Sequence, residues 1–165
     1  MADAENLLAF RKQIAFETTN TMQYVDQAYP TIKETAKRLQ TQLEDRTTIN
    51  VGAFSGNHLV AYLNFRLPWA DHPWVAHLAQ FGMMVLKNFW GQGIGKKLLY
   101  AAEEHARTID CSYIIMSVIE IRHELIAWYE RHGYYRTGEI KPFPTGPEFG
   151  IPKQPLQFIV MKKFI

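Results

Sequence analysis

Three glycines alternate with other residues where the middle of the sequence changes from a strand pattern to a helix pattern. The segment reads Trp90-Gly91-Gln92-Gly93-Ile94-Gly95-Lys96-Lys97. A turn that opens a helix brings together unpaired backbone N–H groups and the positive end of the helix dipole. Glycines let a ligand approach the backbone closely, and the two lysines add positive charge. The segment therefore predicts a phosphate-binding turn.

Two other phosphate-binding motifs fit this segment poorly. A P-loop needs a glycine and a hydroxyl residue at the positions that Trp90 and Lys97 occupy. The dinucleotide motif G-x-G-x-x-G would need a glycine at position 96, and it belongs to the first strand of its unit. A nucleoside triphosphatase and a dinucleotide-binding protein are both disfavoured. A glycine turn that only lets a helix pack on a sheet stays the plainer alternative.

The segment Met83 to Leu99 resembles the acetyl-CoA motif of the GNAT superfamily, written Q/R-x-x-G-x-G/A. Trp90 replaces the glutamine or arginine, which weakens the match little because family members hold the pyrophosphate mainly through backbone N–H groups. One strand and one helix later, Leu125 to Tyr134 resembles the family's helix with a tyrosine before a Gly-aromatic pair. Arg122 stands where relatives commonly have asparagine.

The resemblance implies that acetyl-CoA is the co-substrate and that two groups of residues bind it. The pyrophosphate would lie on Gly91, Gln92, Gly93, Ile94, Gly95, Lys96 and Lys97. The pantetheine arm would pair with backbone groups of Met83, Met84 and Val85, because neighbouring strands splay apart there and leave strand N–H and C=O groups free. The side chains of the two methionines are expected to fill the core.

The resemblance also implies that Tyr129 lies near the coenzyme sulfur and protonates the departing thiolate. A phenol with a pKa of about 10 donates well to a thiolate only if it is well positioned, and a rigid helix supplies the position. Alternatively, Tyr129 simply packs on the sheet beside Trp128 and Tyr134.

An amine acceptor must lose a proton before it attacks a thioester, so the site needs a base. Glu120, at the end of a predicted strand, and His77, on the strand before the glycine turn, are the candidates. Each could equally be structural. Relatives that acetylate ribosomal protein N-termini carry a glutamate where this chain has Ser117, which counts against such a substrate.

Two loops are expected to wall the acceptor pocket, one before the glycine-turn strand and one rich in proline near the C-terminus. The wall residues would be Trp69, Asp71, Trp74, Phe143, Glu148 and Phe149. The histidines show no spacing typical of zinc ligands, so no metal is predicted. Cys111 follows a helix end rather than opening a helix, which makes it an improbable nucleophile.

Composition favours one domain over residues 1–165. The chain has 165 residues, 47% of them hydrophobic, and a formal net charge of +2, so nucleic acid is not an implied partner. No apolar run is long enough to cross a bilayer, and the start lacks a signal-peptide pattern. A single cysteine fits a reducing compartment. These features predict a cytoplasmic protein with no membrane partner.

Strand and helix patterns alternate along the chain and predict an α/β fold. The resemblance specifies a mixed, mostly antiparallel central sheet flanked by helices, with a splay beside the coenzyme site. Residues 10–16 could be a helix or an opening strand. A helix over Thr31–Leu43 would bury Ile32, Ala36, Leu39 and Leu43, and Glu103 would face water on the helix after the glycine turn. Gly82 would bend or bulge its strand.

The leading hypothesis is an N-acetyltransferase in which an amine, of a small molecule or a protein, attacks acetyl-CoA directly in a ternary complex. A non-catalytic acyl-CoA sensor and a transferase of a larger acyl group are the alternatives. A homodimer is plausible through the apolar C-terminal strand Phe158–Phe164, unless that strand lies inside the sheet.

Overall fold

A computed structural model describes residues 2–21, 27–68, 70–71, 75–145 and 154–165. Within these residues the helices are α1 (Ala2–Glu17), α2 (Ile32–Glu44), α3 (Ile94–Thr108) and α4 (His123–Arg131). The strands are β1 (Ile49–Ser55), β2 (His58–Arg66), β3 (Leu78–Val85), β4 (Tyr113–Ile119), β5 (Tyr135–Pro142) and β6 (Gln157–Phe164). A short 3₁₀ helix, Lys87–Phe89, separates β3 from the glycine turn, so the strand does not run straight into the turn.

The six strands form one sheet in the order β1-β2-β3-β4-β6-β5. Every neighbouring pair is antiparallel except β3 and β4, which are parallel. The predicted mixed, mostly antiparallel α/β architecture is confirmed. Because β6 lies between β4 and β5, its apolar residues are used inside the sheet and offer no free edge for a second copy. Strands β1 and β5 form the two edges of the sheet, and β5 tolerates Pro142 at its end because an edge strand needs fewer ladder hydrogen bonds.

The two N-terminal helices pack on one face of the sheet. The segment that could have been a helix or a strand is helical, and Leu7, Phe10 and Ile14 of α1 form a cluster with Leu59 of β2. Helix α2 begins with a capping box, in which Thr31 Oγ1 accepts from Glu34 N at 3.2 Å and Thr31 N donates to Glu34 Oε2 at 2.7 Å.

The predicted buried face of α2 is partly wrong. Ile32 and Leu43 are 42% and 77% exposed, whereas Thr35 is 1% exposed. Among the described elements, α2 packs mainly against α1 and the edge strand β1, so its outer side has few neighbours. Its inward stripe therefore starts at Thr35 rather than at Ile32.

Helices α3 and α4 cover the other face of the sheet and enclose the main core. Leu98, Leu99, Ala102 and Ala106 of α3 pack there against Phe65 of β2 and other strand residues. Glu103 was expected in water but is 3% exposed. Its carboxylate accepts from Lys163 Nζ of β6 at 2.7 Å, which explains how a charged residue is tolerated on the buried stripe.

The expected bulge at Gly82 is not found. Strands β2 and β3 pair without a register shift from Ala61↔Val85 to Arg66↔Gln80, and Gly82 lies opposite Asn64. Register shifts are found instead in β1, between Ala53 and Phe54, and in β5, between Arg136 and Ile140.

Candidate active site

The glycine turn has the backbone conformation that only glycine adopts readily. Gly91 and Gly93 have φ of 73° and 77°, in the left-handed region. Gly93 is the N-cap of α3, and its carbonyl accepts from Lys97 N at 3.1 Å. The preceding loop is held by Gln92 Nε2, which donates to Asn88 O at 3.1 Å. The turn thus directs the unpaired N–H groups of the first turn of α3 toward one point.

The turn lies against the elements that would position a coenzyme arm. A Cβ added to Gly95 would be 3.8 Å from Met83 Cε on β3 and 3.8 Å from Trp128 Cζ2 on α4. Lys96 and Lys97 are exposed. The start of α3 is therefore in contact range of both β3 and α4, and the positive charge of the two lysines faces solvent.

Strands β3 and β4 separate beside this turn. Their pairing runs from Leu78↔Tyr113 only to Gln80↔Ile115, although each strand continues for several residues. Continued register would place Gly82 level with Ser117 and Val85 level with Glu120. The predicted splay is present, and it opens toward the carboxyl ends of a parallel strand pair, where α/β proteins commonly bind ligands.

The backbone of β3 presents alternate residues to the splay. Leu86 N donates to Val60 O at 3.0 Å, so Leu86 and Val60 form a hydrogen-bonded pair of the antiparallel ladder. By alternation Met84 also bonds to β2, while the N–H and C=O groups of Met83 and Val85 point toward β4. Of the three residues expected to meet the pantetheine arm, the first and third present their backbone groups, and the side chains of Met83 and Met84 pack in the two apolar clusters.

The indole of Trp90 forms a hydrogen bond with one of these backbone groups of β3. Its Nε1 donates to Val85 O at 2.8 Å, and the guanidinium of Arg122 lies 5.7 Å from the centroid of its ring. Neither contact was predicted from the sequence. The sequence marks Trp90 and Arg122 as the two departures from the motif residues, but it does not show that they contact each other.

Tyr129 is buried in an aromatic cluster on α4. It is 3% exposed, and its ring centroid lies 4.9 Å from Trp128, 5.6 Å from Tyr134 and 6.2 Å from Phe81. Burial raises the pKa of the Tyr129 phenol far above its ordinary value, and the positive charge of Arg122 opposes this shift. The phenol is accordingly held in its protonated form.

The two base candidates lie at opposite ends of the parallel strand pair. Glu120 directly follows β4 at the open end of the splay, where its N–H donates to Gln157 O at 3.0 Å. His77 precedes β3, with its ring 5.5 Å from Tyr113, and its carbonyl accepts from Ser112 N at 3.1 Å. It is four residues from Phe81, or ~13 Å along a strand. The structure therefore brings Glu120 toward the splay and leaves His77 away from it.

The described residues leave the face of the splay opposite α3 and α4 uncovered at Gly82 and Ser117. Both residues are exposed, and a Cβ at Gly82 would have no atom of a described residue within 4 Å. Of the predicted wall residues, Asp71 is exposed, whereas Phe143 is 5% exposed and stacks on Phe158 at 5.0 Å. Trp69, Trp74, Glu148 and Phe149 lie outside the described residues.

A separate cleft of about 470 Å³ lies on the other side of the glycine turn. It is bounded by the β1–β2 hairpin and the start of α3, and its lining includes Phe54, Phe89, Gln92 and Lys97. Tyr129 and its ring neighbours do not line it. Because the role expected for Tyr129 needs a space beside its phenol, this cleft does not match the predicted site.

Among the described residues, no group of three or more histidine, cysteine, aspartate or glutamate side chains could hold a metal ion. Cys111 is 4% exposed, with its thiol 3.1 Å from His77 O and 3.0 Å from Tyr113 O, and burial raises the pKa of this thiol. A buried thiol with a raised pKa is a poor nucleophile. In the part of the chain with a described structure, no helix has the length and apolar character needed to span a bilayer.

Comparison with known proteins gives one family. The Acetyltransferase (GNAT) family matches residues 14–134. The chain is similar to the structure of a GNAT-family acetyltransferase from Streptococcus pneumoniae, with a TM-score of 0.84, 22% identity and coverage of 99% of this chain and 94% of that one. Among curated proteins, none matches this sequence.

Two further structures show the same fold. A ribosomal-protein-alanine N-acetyltransferase from Brucella melitensis has a TM-score of 0.78 at 21% identity, covering 99% of this chain and 95% of that one. A putative acetyltransferase from Salmonella typhimurium, solved with its cofactor acetyl-CoA, has a TM-score of 0.74 at 18% identity, covering 99% of this chain and 88% of that one.

Proposed function

The chain belongs to the GNAT acetyltransferase family and is an acetyltransferase, and we propose that it transfers the acetyl group of acetyl-CoA to a primary amine within a ternary complex. One observation carries this proposal. The glycine turn at the start of α3 lies beside the part of β3 that no longer pairs with β4, and the buried phenol of Tyr129 lies near that part of the strand. These three features lie in the order in which a diphosphate, a pantetheine arm and a thioester follow one another along acetyl-CoA.

Acetyl-CoA would be held by backbone groups at two places. The diphosphate accepts from the N–H groups of Gly93, Ile94 and Gly95, which no helical carbonyl uses. The pantetheine amides pair with Met83 and with the Val85 N–H as an added strand would. Lys96 and Lys97 supply positive charge from the exposed side of α3.

The acceptor amine attacks the thioester carbonyl from the open side of the splay. The carbon–nitrogen bond forms, the carbon–sulfur bond breaks, and the thiolate of coenzyme A takes a proton from Tyr129. The acylated nitrogen releases its extra proton, which restores the phenol of Tyr129 and leaves a neutral amide. The aromatic surroundings of the phenol keep this proton in place until the thiolate develops beside it.

Glu120 is the proposed base that removes the proton of the ammonium form, either directly or through one water molecule. Its position after β4 and level with Val85 supports this role, and the position of His77 at the far end of β3 supports a structural role for that residue. Glu120→Gln is expected to lower kcat/KM about 100-fold at neutral pH. A matched His77→Gln variant should keep its activity.

The acceptor is proposed to be a small-molecule or protein amine that reaches the sheet between Gly82 and Ser117. Ser117 in place of a glutamate argues against a ribosomal protein N-terminus as the substrate. The whole chain is proposed to act as one cytoplasmic domain without nucleic acid, membrane or metal. A homodimer formed through a sheet edge would use β1 or β5, because β6 lies inside the sheet.

Tyr129→Phe separates catalysis from coenzyme binding. The variant keeps the aromatic packing and loses only the hydroxyl, so acetyl-CoA binding by calorimetry should be unchanged. Turnover, measured as release of free thiol with a panel of amines, should fall about 100-fold or more. A non-catalytic acyl-CoA sensor would bind acetyl-CoA but release no thiol in either protein. Propionyl-CoA and butyryl-CoA in the same assay test transfer of a larger acyl group.

A further inference from the structure

The two residues that depart from the family motifs contact each other. Trp90 occupies the motif position of glutamine or arginine, and Arg122 that of asparagine. The guanidinium carbon of Arg122 lies 5.7 Å from the centroid of the Trp90 ring, within the range of a cation–π interaction. The two departures are therefore one structural feature, which we call the Trp90–Arg122 pair.

The Trp90–Arg122 pair connects the two strands at the open end of the splay. On the β3 side, Trp90 Nε1 donates to Val85 O at 2.8 Å. On the β4 side, Arg122 N donates to Ile119 O at 3.0 Å. The pair thus lies where the strands have ceased to bond to each other, at the entrance to the coenzyme path.

The Trp90–Arg122 pair links the glycine turn to the helix that carries Tyr129. Trp90 is joined directly to Gly91 of the glycine turn, and Arg122 is the N-cap residue of α4, the helix that carries Tyr129. The Arg122 side chain is 23% exposed, so its charge is only partly screened. Nε of Arg122 pairs with Glu124, and this pairing does not use the two terminal Nη groups.

We propose that the Trp90–Arg122 pair is a coenzyme-binding subsite in which Arg122 donates to the diphosphate of acetyl-CoA and Trp90 fixes the guanidinium in place. This inference rests on the proposed function. Backbone N–H groups are neutral donors, whereas a guanidinium adds a full charge and a planar pair of donors that match phosphate oxygens. Stacking on an aromatic face restricts the side chain before the ligand arrives, which lowers the entropy cost of binding.

The pair also changes how the pantetheine arm can bind. Trp90 occupies the Val85 carbonyl, so this end of β3 keeps the N–H of Val85 for the arm and loses one acceptor. The charge of Arg122 would offset the loss by strengthening the contact at the diphosphate. Affinity would accordingly depend more on the nucleotide part of the coenzyme and less on the arm.

The test compares a ligand that carries the diphosphate with one that lacks it. Arg122→Met keeps the apolar stem and removes the charge. Binding of acetyl-CoA, measured by calorimetry, should weaken about 10- to 100-fold. Binding of S-acetylpantetheine, measured by NMR titration at millimolar concentration, should not change. Arg131→Met, at the exposed end of the same helix, is the matched control and should bind both ligands as the wild type does.

A second variant tests whether the two residues act together. Trp90→Ala should weaken acetyl-CoA binding, and the double variant with Arg122→Met should bind no more weakly than the weaker single variant, because each change already disables the pair. If the factor by which the double variant loses affinity equals the product of the factors for the two single variants, the two residues act independently. That result would overturn the proposal.

Two further outcomes would also overturn it. Equal loss for both ligands would show that Arg122 supports the fold of the entrance rather than the diphosphate, and no loss for acetyl-CoA would show that it makes no contact. In both cases the wild type binds acetyl-CoA and the proposed function stands. A wild type that binds neither ligand would instead remove the proposed function itself.

Discussion

The phenol of Tyr129 is placed among Phe81, Trp128 and Tyr134, and this burial raises its pKa. A raised pKa means that the protonated form persists as the pH rises through the ordinary tyrosine value. The rate should therefore show no loss from deprotonation of Tyr129 below about pH 10. We expect a pH profile of kcat that rises with deprotonation of the base and then stays level to that limit. An alkaline decrease near pH 8 that Tyr129→Phe abolishes would contradict this.

The sequence was informative about residues whose backbone or chemistry is restrictive. Gly91 and Gly93 adopt a positive φ that favours glycine. Tyr129 was recognised from its position on the helix that precedes Gly133. Contacts between residues far apart in the chain carried no such local signal. Trp90 with Arg122, and Glu103 with Lys163, depend on how the elements pack, so their pairing became visible only in the fold.

Unpaired strand groups on β3 give an element-scale prediction for hydrogen exchange. The amide of Met83 points toward the splay, whereas the amide of Met84 belongs to the ladder with β2. In the free protein the Met83 amide should exchange faster than that of Met84, and saturating acetyl-CoA should slow the exchange of Met83 while leaving Met84 little changed. Equal protection of both amides without ligand would show that the β3 edge is already closed.

The start of α2 depends on the capping box between Thr31 and Glu34. Thr31→Ala removes the side-chain acceptor for Glu34 N and should lower the free energy of unfolding by about 1 kcal/mol in urea titration. The matched change Thr41→Ala lies on the exposed middle of the same helix, where alanine is favoured. That variant should be neutral or slightly more stable, and a loss equal to that of Thr31→Ala would refute the cap assignment.

The positions of most helices and strands were predictable because caps, glycines and apolar periodicity act locally, whereas the order of the strands depends on contacts between distant segments and was not predicted. The buried face of α2 was not predictable from the sequence. A helix at the margin of the sheet buries only the side chains that its few neighbours contact. Residues 10–16 were ambiguous because their apolar residues suit either a helix or a strand. Packing of Phe10 and Ile14 against Leu59 selects the helix.

At the scale of the whole molecule, the ion pair of Glu103 and Lys163 joins α3 to β6 through the main core. Their side chains are 4% and 20% exposed. Lys163→Met removes the nearer partner of a buried carboxylate, which keeps only the longer contact with Arg107 at 4.0 Å, and should cost about 3 kcal/mol of unfolding free energy. The double variant with Glu103→Leu should recover much of this loss. Lys141→Met breaks the exposed pair with Glu139 and should cost at most about 1 kcal/mol.

Binding of acetyl-CoA at the glycine turn is the central claim, and calorimetry with a matched pair of variants tests it most directly. Gly93→Val places a side chain at a φ of 77° in the turn, and Gly56→Val imposes similar strain at a φ of 58° in the β1–β2 hairpin. We predict that the wild type and Gly56→Val bind acetyl-CoA with micromolar affinity and that Gly93→Val does not. Equal binding by all three folded proteins, or none by the wild type, would contradict the account.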